Sequence, residues 1–185
     1  REEIKSIKIK LNKFIKQLNK DYEVHICGSF RRKKLTSGDI DVLILNPELP
    51  TEEVIKKTTV NHLSVIVEHL KKKKVIVDSL TEEGGTKYMG ICKGTRAGLG
   101  RRIDIRLIPY ESKGAAMLYF TGSGNFNKVM RTEALKKGYT INEYGIYTTK
   151  KEGKKMVKNQ LVPTESEEDI FKVVDMKYLA PKDRI

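Results

Sequence analysis

The stretch Gly38-Asp39-Ile40-Asp41-Val42-Leu43-Ile44-Leu45 decides the fold. It is an apolar strand that begins with two carboxylates two residues apart. Because side chains alternate between the two faces of a strand, Asp39 and Asp41 point the same way while Ile40 and Val42 point into the core. The Cα atoms of the two aspartates then lie roughly 7 Å apart. Two like charges on one face usually persist because a cation binds between them, so the stretch predicts a metal site.

Two further stretches carry groups that suit phosphate and metal chemistry. Gly28-Ser29-Phe30-Arg31-Arg32 follows a short predicted strand, and its glycine-serine turn suggests a helix start where N–H groups, a hydroxyl and guanidinium groups meet. Asp104 lies in Arg101–Leu107, where apolar and charged residues alternate as in a strand. A surface ion-pair ladder also explains a carboxylate between two arginines. A site that binds two metal ions and a phosphate needs one more carboxylate, however. Asp104 is the best candidate because the alternating pattern places it on one face of a strand.

The composition favours a polyanionic partner. The chain has 185 residues, of which 38% are hydrophobic and 33% charged, and its net charge is +13. This surplus indicates nucleic acid before membrane, and no apolar run reaches the length of a membrane span. Cys27 and Cys92 lack metal-ligand spacing, so we expect buried free thiols in a reducing compartment. The chain begins with Arg1 in a helical pattern, which we interpret as a piece of a longer protein.

Periodicity predicts the remaining elements. Helices are expected over 4–18, 60–70, 125–137 and 165–174, and short strands over 24–27, 75–77, 88–92, 139–141 and 145–147. Phe126, Val129, Met130 and Ala134 are expected to face inward. Thr164 to Glu167 reads as a capping box, Lys150 to Lys158 as a basic hairpin tip, and Gly94 to Gly100 as a flexible loop.

Several motifs in one order resemble the family X DNA polymerases, within the nucleotidyltransferase superfamily. The matching motifs are Gly28-Ser29-Phe30-Arg31-Arg32, Gly38-Asp39-Ile40-Asp41, Arg101 through Pro109, Tyr119-Phe120-Thr121-Gly122-Ser123, Phe126-Asn127-Lys128, Ile141-Asn142-Glu143-Tyr144, Asp169-Ile170-Phe171 and Pro181-Lys182-Asp183-Arg184. The resemblance implies an α+β fold with a nucleotidyltransferase-type palm, in which helices back a mixed sheet, over residues 1–109. A small α/β subdomain that binds the nascent base pair is expected over residues 110–185.

The resemblance also implies an activity. A template-directed DNA polymerase would add dNMP from a dNTP to a primer 3′-hydroxyl and release pyrophosphate, in short-gap repair synthesis. Two Mg²⁺ ions about 3.5–4 Å apart would act in this reaction, and Mn²⁺ could substitute for them. The expected partners are primer-template or gapped DNA and a dNTP. We expect a monomer with an intracellular location, nuclear if the source is a cellular eukaryote.

Residue roles follow from the same resemblance. It implies that Asp39, Asp41 and Asp104 are catalytic metal ligands. It assigns dNTP binding to Gly28, Ser29, Arg32, Gly38, Tyr119, Phe120, Gly122 and Asn127. It assigns DNA or template contacts to Arg102, Arg131 and Tyr144, and a pair that rearranges on closing to Arg106 and Glu143. Gly124 departs from the family pattern, which has an acidic residue over the incoming base.

Three other functions compete with templated synthesis. A template-independent terminal nucleotidyltransferase shares the three carboxylates, although the motif at Tyr119-Phe120-Thr121-Gly122-Ser123 and Arg131 favour a template. A non-enzymatic DNA-binding module would explain the charge of +13 but not three carboxylates at the binding surface. A small-molecule nucleotidyltransferase is disfavoured by the C-terminal motifs.

Overall fold

A five-stranded mixed sheet contains the predicted carboxylate strand. This computed structural model describes residues 1–82, 84–94 and 99–185. The strands of the sheet are β1 (Glu23–Ile26), β2 (Ile40–Leu45), β3 (Ile76–Ser79), β4 (Lys87–Lys93) and β5 (Gly100–Leu107). Their order is β1-β2-β5-β4-β3. The fully buried Ile40, Ile44 and Ile103 explain why β2 and β5 lie inside the sheet rather than at its edges.

The pairing of β2 with β5 is parallel, and all other neighbours in this sheet are antiparallel. In this register Ile40 lies opposite Ile103, and Asp41 lies opposite Asp104. Adjacent strands are about 4.8 Å apart. The sheet therefore brings together two carboxylates that are far apart in the sequence.

Helices cover the sheet and, together with its strands, form the hydrophobic core of this part of the chain. They are α1 (Glu2–Leu18), α2 (Gly28–Arg31), α3 (Glu52–Lys57) and α4 (His62–Lys72). Helix α4 begins after the N-cap Asn61, whose side chain accepts a hydrogen bond from the Ser64 backbone N–H. The sequence analysis missed α3, which has no buried residue and hence no apolar periodicity to detect.

The C-terminal part forms a second α/β unit. Its elements are α5 (Lys113–Thr121), α6 (Gly124–Lys136), β6 (Tyr139–Ile141), β7 (Ile146–Glu152), β8 (Lys155–Val162) and α7 (Glu167–Val173). The three strands form an antiparallel sheet in the order β6-β7-β8. Short 3₁₀ helices at Tyr110–Ser112 and Pro181–Asp183 flank this part of the chain.

Two local predictions in this part are wrong. Val129 is 57% exposed rather than inward, because Phe126, Met130 and Ala134 alone fill the buried stripe of α6. The capping box begins at Ser166, two residues later than predicted. Its hydroxyl accepts from the Asp169 N–H, and the Asp169 side chain accepts in return from the Ser166 N–H. The predicted loop Gly94 to Gly100 lies mostly outside the described residues.

The predicted fold class is confirmed. One large hydrophobic cluster fills the first part of the chain, and a second lies among α5, α6, α7 and the small sheet. A smaller third cluster joins the two parts through Cys27, Leu43, Leu45, Ile108 and Ala116. In the described part of the chain, no helix has the length and apolar character needed to cross a membrane.

Glu23 of β1 joins the sheet to the start of the C-terminal part. Its carboxylate accepts hydrogen bonds of 2.7 Å from the Tyr110 hydroxyl and from Lys113 Nζ. His25 Nε2 lies 3.0 Å from the same carboxylate. Partial burial would raise the pKa of Glu23, but the bonds to Lys113, Tyr110 and His25 outweigh it and lower the pKa to about 2.

This contact predicts a pH dependence of stability. A glutamate has a pKa of about 4.3 in an unfolded chain, and the folded value is lower, so the contribution is complete above about pH 4.5. It is expected to disappear as the pH falls toward 2. Urea unfolding between pH 6 and 2.5 should show a smaller loss of unfolding free energy in Glu23→Gln than in the unmodified chain. Glu133→Gln, at a glutamate of α6 that pairs with Lys136, is the control, and equal slopes in all three proteins would contradict the prediction.

Candidate active site

One pocket of about 460 Å³ lies where α2, the start of β2, the end of α5 and the start of α6 meet. This volume is in the usual range for small-molecule sites. Its lining residues are Gly28, Ser29, Arg32, Gly38, Asp39, Asp41, Tyr119, Phe120, Thr121, Gly122, Gly124 and Asn127. The structure thus brings together all eight residues predicted to bind a nucleotide, with two of the three predicted carboxylates.

Gly28 allows α2 to begin directly against β2. Its φ is +59°, and a Cβ built on it would lie 2.2 Å from Asp41 Oδ2. Any side chain at residue 28 would therefore displace the Asp41 carboxylate as well as strain the backbone. The absence of a side chain lets the turn and the carboxylate share one end of the pocket.

The three predicted carboxylates lie at neighbouring positions. The sequence places Asp39 within the strand, but it is exposed and lies one residue before β2, whereas Asp41 is half-buried in β2 and lies opposite Asp104 on β5. Burial, followed by the charges of Asp104 and Asp39, raises the pKa of Asp41 to about 6. A cation between these groups would relieve this repulsion, and their oxygen-only donor set suits Mg²⁺ or Mn²⁺.

Asp104 is held by a neighbouring cation in this structure. Arg102 Nε donates to Asp104 Oδ1 at 3.1 Å, so the ion pair considered in the sequence analysis is present. Among the described residues, no group of three or more His, Cys, Asp or Glu side chains is arranged as a metal-binding cluster. Arg102 would therefore compete with a bound cation for one oxygen of Asp104.

Arg32 provides cationic nitrogen atoms to the same pocket. Its Nη1 donates to the Thr121 carbonyl at 2.6 Å. Its Nε is buried and has no hydrogen-bond partner among the described residues, which leaves one donor available for an anion. Ser29 also lines the pocket, and its hydroxyl donates to Ser37 Oγ at 2.8 Å.

The C-terminal part contributes the aromatic and amide side of the pocket. The rings of Tyr119 and Phe120 make an edge contact, with centroids 5.0 Å apart. Asn127 Nδ2 donates to the Tyr119 carbonyl at 2.9 Å, which fixes α6 against the end of α5. The peptide bond between Gly122 and Ser123 in the connecting turn is cis.

The remaining predicted residues lie outside this pocket. Arg106 Nη2 is 3.9 Å from Glu143 Oε1, and the Arg106 guanidinium lies 5.1 Å from the centre of the Phe120 ring. Arg131 is exposed on α6. Tyr144 packs against the third cluster and lines a separate groove.

Comparison with known proteins agrees with this geometry. The family described as DNA polymerase beta palm matches residues 1–110, which is more than half of the chain. The chain belongs to the family X DNA polymerases. A second family, described as DNA polymerase beta thumb, matches residues 116–185 of this family X chain.

Two relatives extend the comparison. The family X chain is 37% identical to DNA polymerase lambda of Rattus norvegicus over 166 residues, which cover 85% of the chain and 28% of that protein. It is 25% identical to DNA polymerase lambda of Arabidopsis thaliana over 172 residues, which cover 86% of the chain and 31% of that protein. The family X chain thus spans less than a third of the length of either relative.

Sequence reasoning missed two features of this family X pocket. Thr121 lines it and accepts a hydrogen bond from each of two consecutive arginines, Arg31 and Arg32. Arg31 also binds Glu167, which is 136 residues away in the sequence. The quoted motif contained Thr121 without a role, and no sequence pattern connects Arg31 to Glu167.

Proposed function

We propose that the chain catalyses template-directed DNA synthesis, in which a primer 3′-hydroxyl attacks the α-phosphate of a dNTP and pyrophosphate leaves. The observation that carries this proposal is the convergence of several groups on one pocket of about 460 Å³. Three groups line this pocket: the Gly28-Ser29 turn, which suits phosphate; two aspartates; and the rings and amide of α5 and α6. This combination matches the three parts of a nucleotide: its phosphates, its reacting centre, and its sugar and base.

The two hydrophobic clusters support a division into subdomains. Residues 1–109 would be the palm and would contribute Asp39, Asp41 and Asp104. Residues 110–185 would bind the nascent base pair through α5 and α6. The pair Arg106 and Glu143, separated by 3.9 Å across this division, would change partners when the second part closes.

The carboxylates would hold the metal ions of the reaction. Asp39 and Asp41 would bind both of two Mg²⁺ ions, and Asp104 would bind only the one beside the primer terminus. When bound, these ions would lower the pKa of the 3′-hydroxyl and neutralise the triphosphate. The raised pKa of Asp41 supports this assignment: burial is its first cause, the charges of Asp104 and Asp39 add to it, and a bound cation would offset both.

The other pocket residues would orient the nucleotide. Arg32 and Ser29 would bind the triphosphate, and Arg32 has an unpaired buried Nε that suits charge developing there. Gly38 and Gly122 would contribute backbone contacts, since both line the pocket and neither has a side chain to cover its backbone.

The side of the pocket formed by Tyr119, Phe120 and Asn127 would contact the sugar and the base pair. Tyr119 and Phe120 would contact the sugar and exclude ribonucleotides. Asn127 would contact the incoming nucleotide in the minor groove, Arg131 the templating base, and Arg102 the primer terminus. This assignment is supported by the position of Asn127 on the pocket and of Arg131 one turn further along α6.

The surroundings of the site suit DNA and an intracellular location. The net charge of +13 favours binding to a phosphate backbone. Both cysteines are buried free thiols, as expected for a reducing compartment. We expect a monomer.

Primer extension with each nucleotide offered singly tests the proposal. We expect Mg²⁺-dependent addition of the complementary dNMP on a gapped template and far less addition on a primer without a template. Equal addition with and without template would support a terminal nucleotidyltransferase instead. DNA binding that ignores Mg²⁺, with no incorporation, would support a binding module.

Arg131→Ala is expected to reduce templated insertion by about tenfold to a hundredfold, as loss of one or two charge-assisted hydrogen bonds does. Nucleotide binding should change much less, because Arg131 lies outside the pocket. Single-turnover kinetics over a range of dNTP concentrations separates the two quantities. Lys136→Ala, at an exposed cation of the same helix, is the matched control. Equal losses in insertion and nucleotide affinity would remove Arg131 as a template reader.

A further inference from the structure

Exposed lysines cover the solvent-facing side of α1 and continue at the end of α4. This lysine surface consists of Lys5, Lys8, Lys10, Lys13, Lys16, Lys20, Lys72, Lys73 and Lys74. Among the described residues, the contact of Lys5 Nζ with Glu2 at 3.0 Å is the only ion pair that any member of this surface forms. The other cations repel one another, and a polyanion would relieve that repulsion.

The geometry of α1 spreads these charges along a line. The helix has 17 residues, so it extends about 25 Å. Lys13 and Lys16 lie three residues apart and Lys5 lies eight residues before Lys13, which places all three on the side away from the buried Ile4 and Leu11. Duplex DNA carries one negative charge per about 1.7 Å of its axis, so phosphates are available along the whole helix.

The ring of Phe14 connects the lysines of the two helices. Lys13 Nζ of α1 and Lys73 Nζ at the end of α4 lie 5.6 Å and 5.7 Å from its centre. Phe14 is half-buried against the hydrophobic core, and His69 makes an edge contact with it. Unpaired bases bind by stacking on accessible rings, and this ring is already covered. The surface therefore suits the backbone of a duplex rather than a single strand.

The kind of cation also favours a nucleic acid backbone. Recognition of a peptide generally uses a groove, a sheet edge or an arginine cluster. The lysine surface is the convex side of a helix, and it lines neither of the two pockets described for this chain. Lysine is a flexible point charge that contacts phosphates without reading bases.

The lysine surface and the nucleotide pocket lie on opposite faces of the large sheet. The apolar side of α1 packs in the same hydrophobic cluster as Ile40 and Val42 of β2. Asp41 lies between these two residues, so its side chain points to the other face, on which Leu43 packs with Ala116 of α5. DNA bound at the carboxylates therefore does not account for the lysines.

We propose that the lysine surface binds the phosphate backbone of duplex DNA, independently of base sequence and of the nucleotide pocket. The chain then contacts DNA on both faces of its large sheet. One molecule can hold two DNA segments at the same time, one at the carboxylates and one along α1.

The salt dependence of DNA binding tests the proposal. A variant with Lys13→Gln, Lys16→Gln and Lys73→Gln loses three cations but keeps good helix formers. We expect its affinity for a blunt duplex to fall about tenfold or more, and the slope of log affinity against log salt to become shallower by about 2.7. Fluorescence anisotropy with a labelled duplex measures both quantities, and circular dichroism confirms folding.

A second triple variant separates local contacts from net charge. Lys151→Gln, Lys154→Gln and Lys155→Gln change three exposed lysines in and beside the β7–β8 turn, so the net charge falls by the same amount. This control should keep both the affinity and the slope of the unmodified chain. Equal losses in the two triple variants would overturn the proposal, since net charge alone would explain them.

Crosslinking locates the DNA on the molecule. The chain has two cysteines, Cys27 and Cys92, and both are buried. In Lys16→Cys, a thiol-reactive photo-crosslinker therefore labels position 16 selectively. We expect crosslinks to the duplex from this position and none from Lys155→Cys. No crosslink from position 16 would overturn the proposal. Competition by polyglutamate as effective as that by DNA of equal charge would also overturn it, in favour of an acidic protein.

Nucleotide addition distinguishes this proposal from the proposed function. The variant of Lys13, Lys16 and Lys73 should extend a saturating gapped substrate at the unmodified rate, because these lysines lie on the face away from Asp41. A chain that adds no nucleotide, yet loses duplex affinity in this variant alone, contradicts the proposed function and supports the second DNA surface. A chain that adds nucleotides, with equal duplex affinity in all variants, has the opposite meaning.

Discussion

Replacing any one of Asp39, Asp41 and Asp104 by alanine is expected to abolish Mg²⁺-dependent primer extension while the chain still folds. Each change removes a carboxylate from a set that would hold two cations, and each lost cation contact is worth several kcal/mol in the transition state. The expected rate falls by about a thousandfold or more. Removing one charge relieves the repulsion that raises the pKa of Asp41, so thermal unfolding should not occur at a lower temperature.

The measurement is single-turnover extension of a gapped substrate, with circular dichroism to confirm folding. Asp21→Ala, at an exposed aspartate just before β1, is the matched control and should extend the primer normally. Asp104→Ala is the most informative variant because Arg102 already forms an ion pair with this carboxylate in the structure. Normal extension by Asp104→Ala would show that the proposed third ligand is wrong.

Gly28→Ala is expected to reduce activity by about a hundredfold or more and to destabilise the fold. The left-handed φ of +59° costs an alanine about 1–2 kcal/mol. The new Cβ would also lie 2.2 Å from Asp41 Oδ2, so the carboxylate must move or α2 must separate from β2. A displacement of about 1 Å at a reacting group is enough for a hundredfold loss of rate.

A second glycine separates these two causes. Gly153 in the β7–β8 turn has a φ of +61°, but a Cβ on it would meet nothing within 4 Å. Gly153→Ala should therefore lose a similar amount of unfolding free energy, measured by urea denaturation, and keep its activity. If both variants lose equal activity, backbone strain rather than contact with Asp41 is responsible.

The strand pattern was sufficient to predict the central sheet and its charged positions. Alternation in Ile40, Val42, Ile103 and Ile105 correctly gave their burial, because a strand has only two faces. One burial prediction in a helix was wrong, because helical spacing alone did not decide which residues of the stripe are buried. Val129 fits a helical stripe, yet three other residues of α6 already fill the available space.

The residues lining the pocket were largely predictable, and their contacts were not. A motif can indicate that Arg32 and Asp41 lie near a phosphate, since each belongs to a local pattern. The bond from Arg31 to Glu167 depends on the packing of α7 against α5, where a Cβ on Gly114 would lie 2.7 Å from the Ser166 backbone. No local pattern contains such a contact, because it arises only from the tertiary fold.

The single parallel pairing in the large sheet has a consequence for how the chain reaches its native state. The antiparallel pair β1–β2 and the antiparallel unit β3–β4–β5 each form from residues that lie within about 20–30 positions of one another in the sequence. Asp41 and Asp104 become neighbours only when these two units dock through the parallel pairing of β2 with β5. During synthesis, a nascent chain that ends before β5 contains two of the three aspartates but lacks the strand that completes their environment. The carboxylate site is thus acquired late in folding, and affinity for divalent cations would report that the two halves of the sheet have docked.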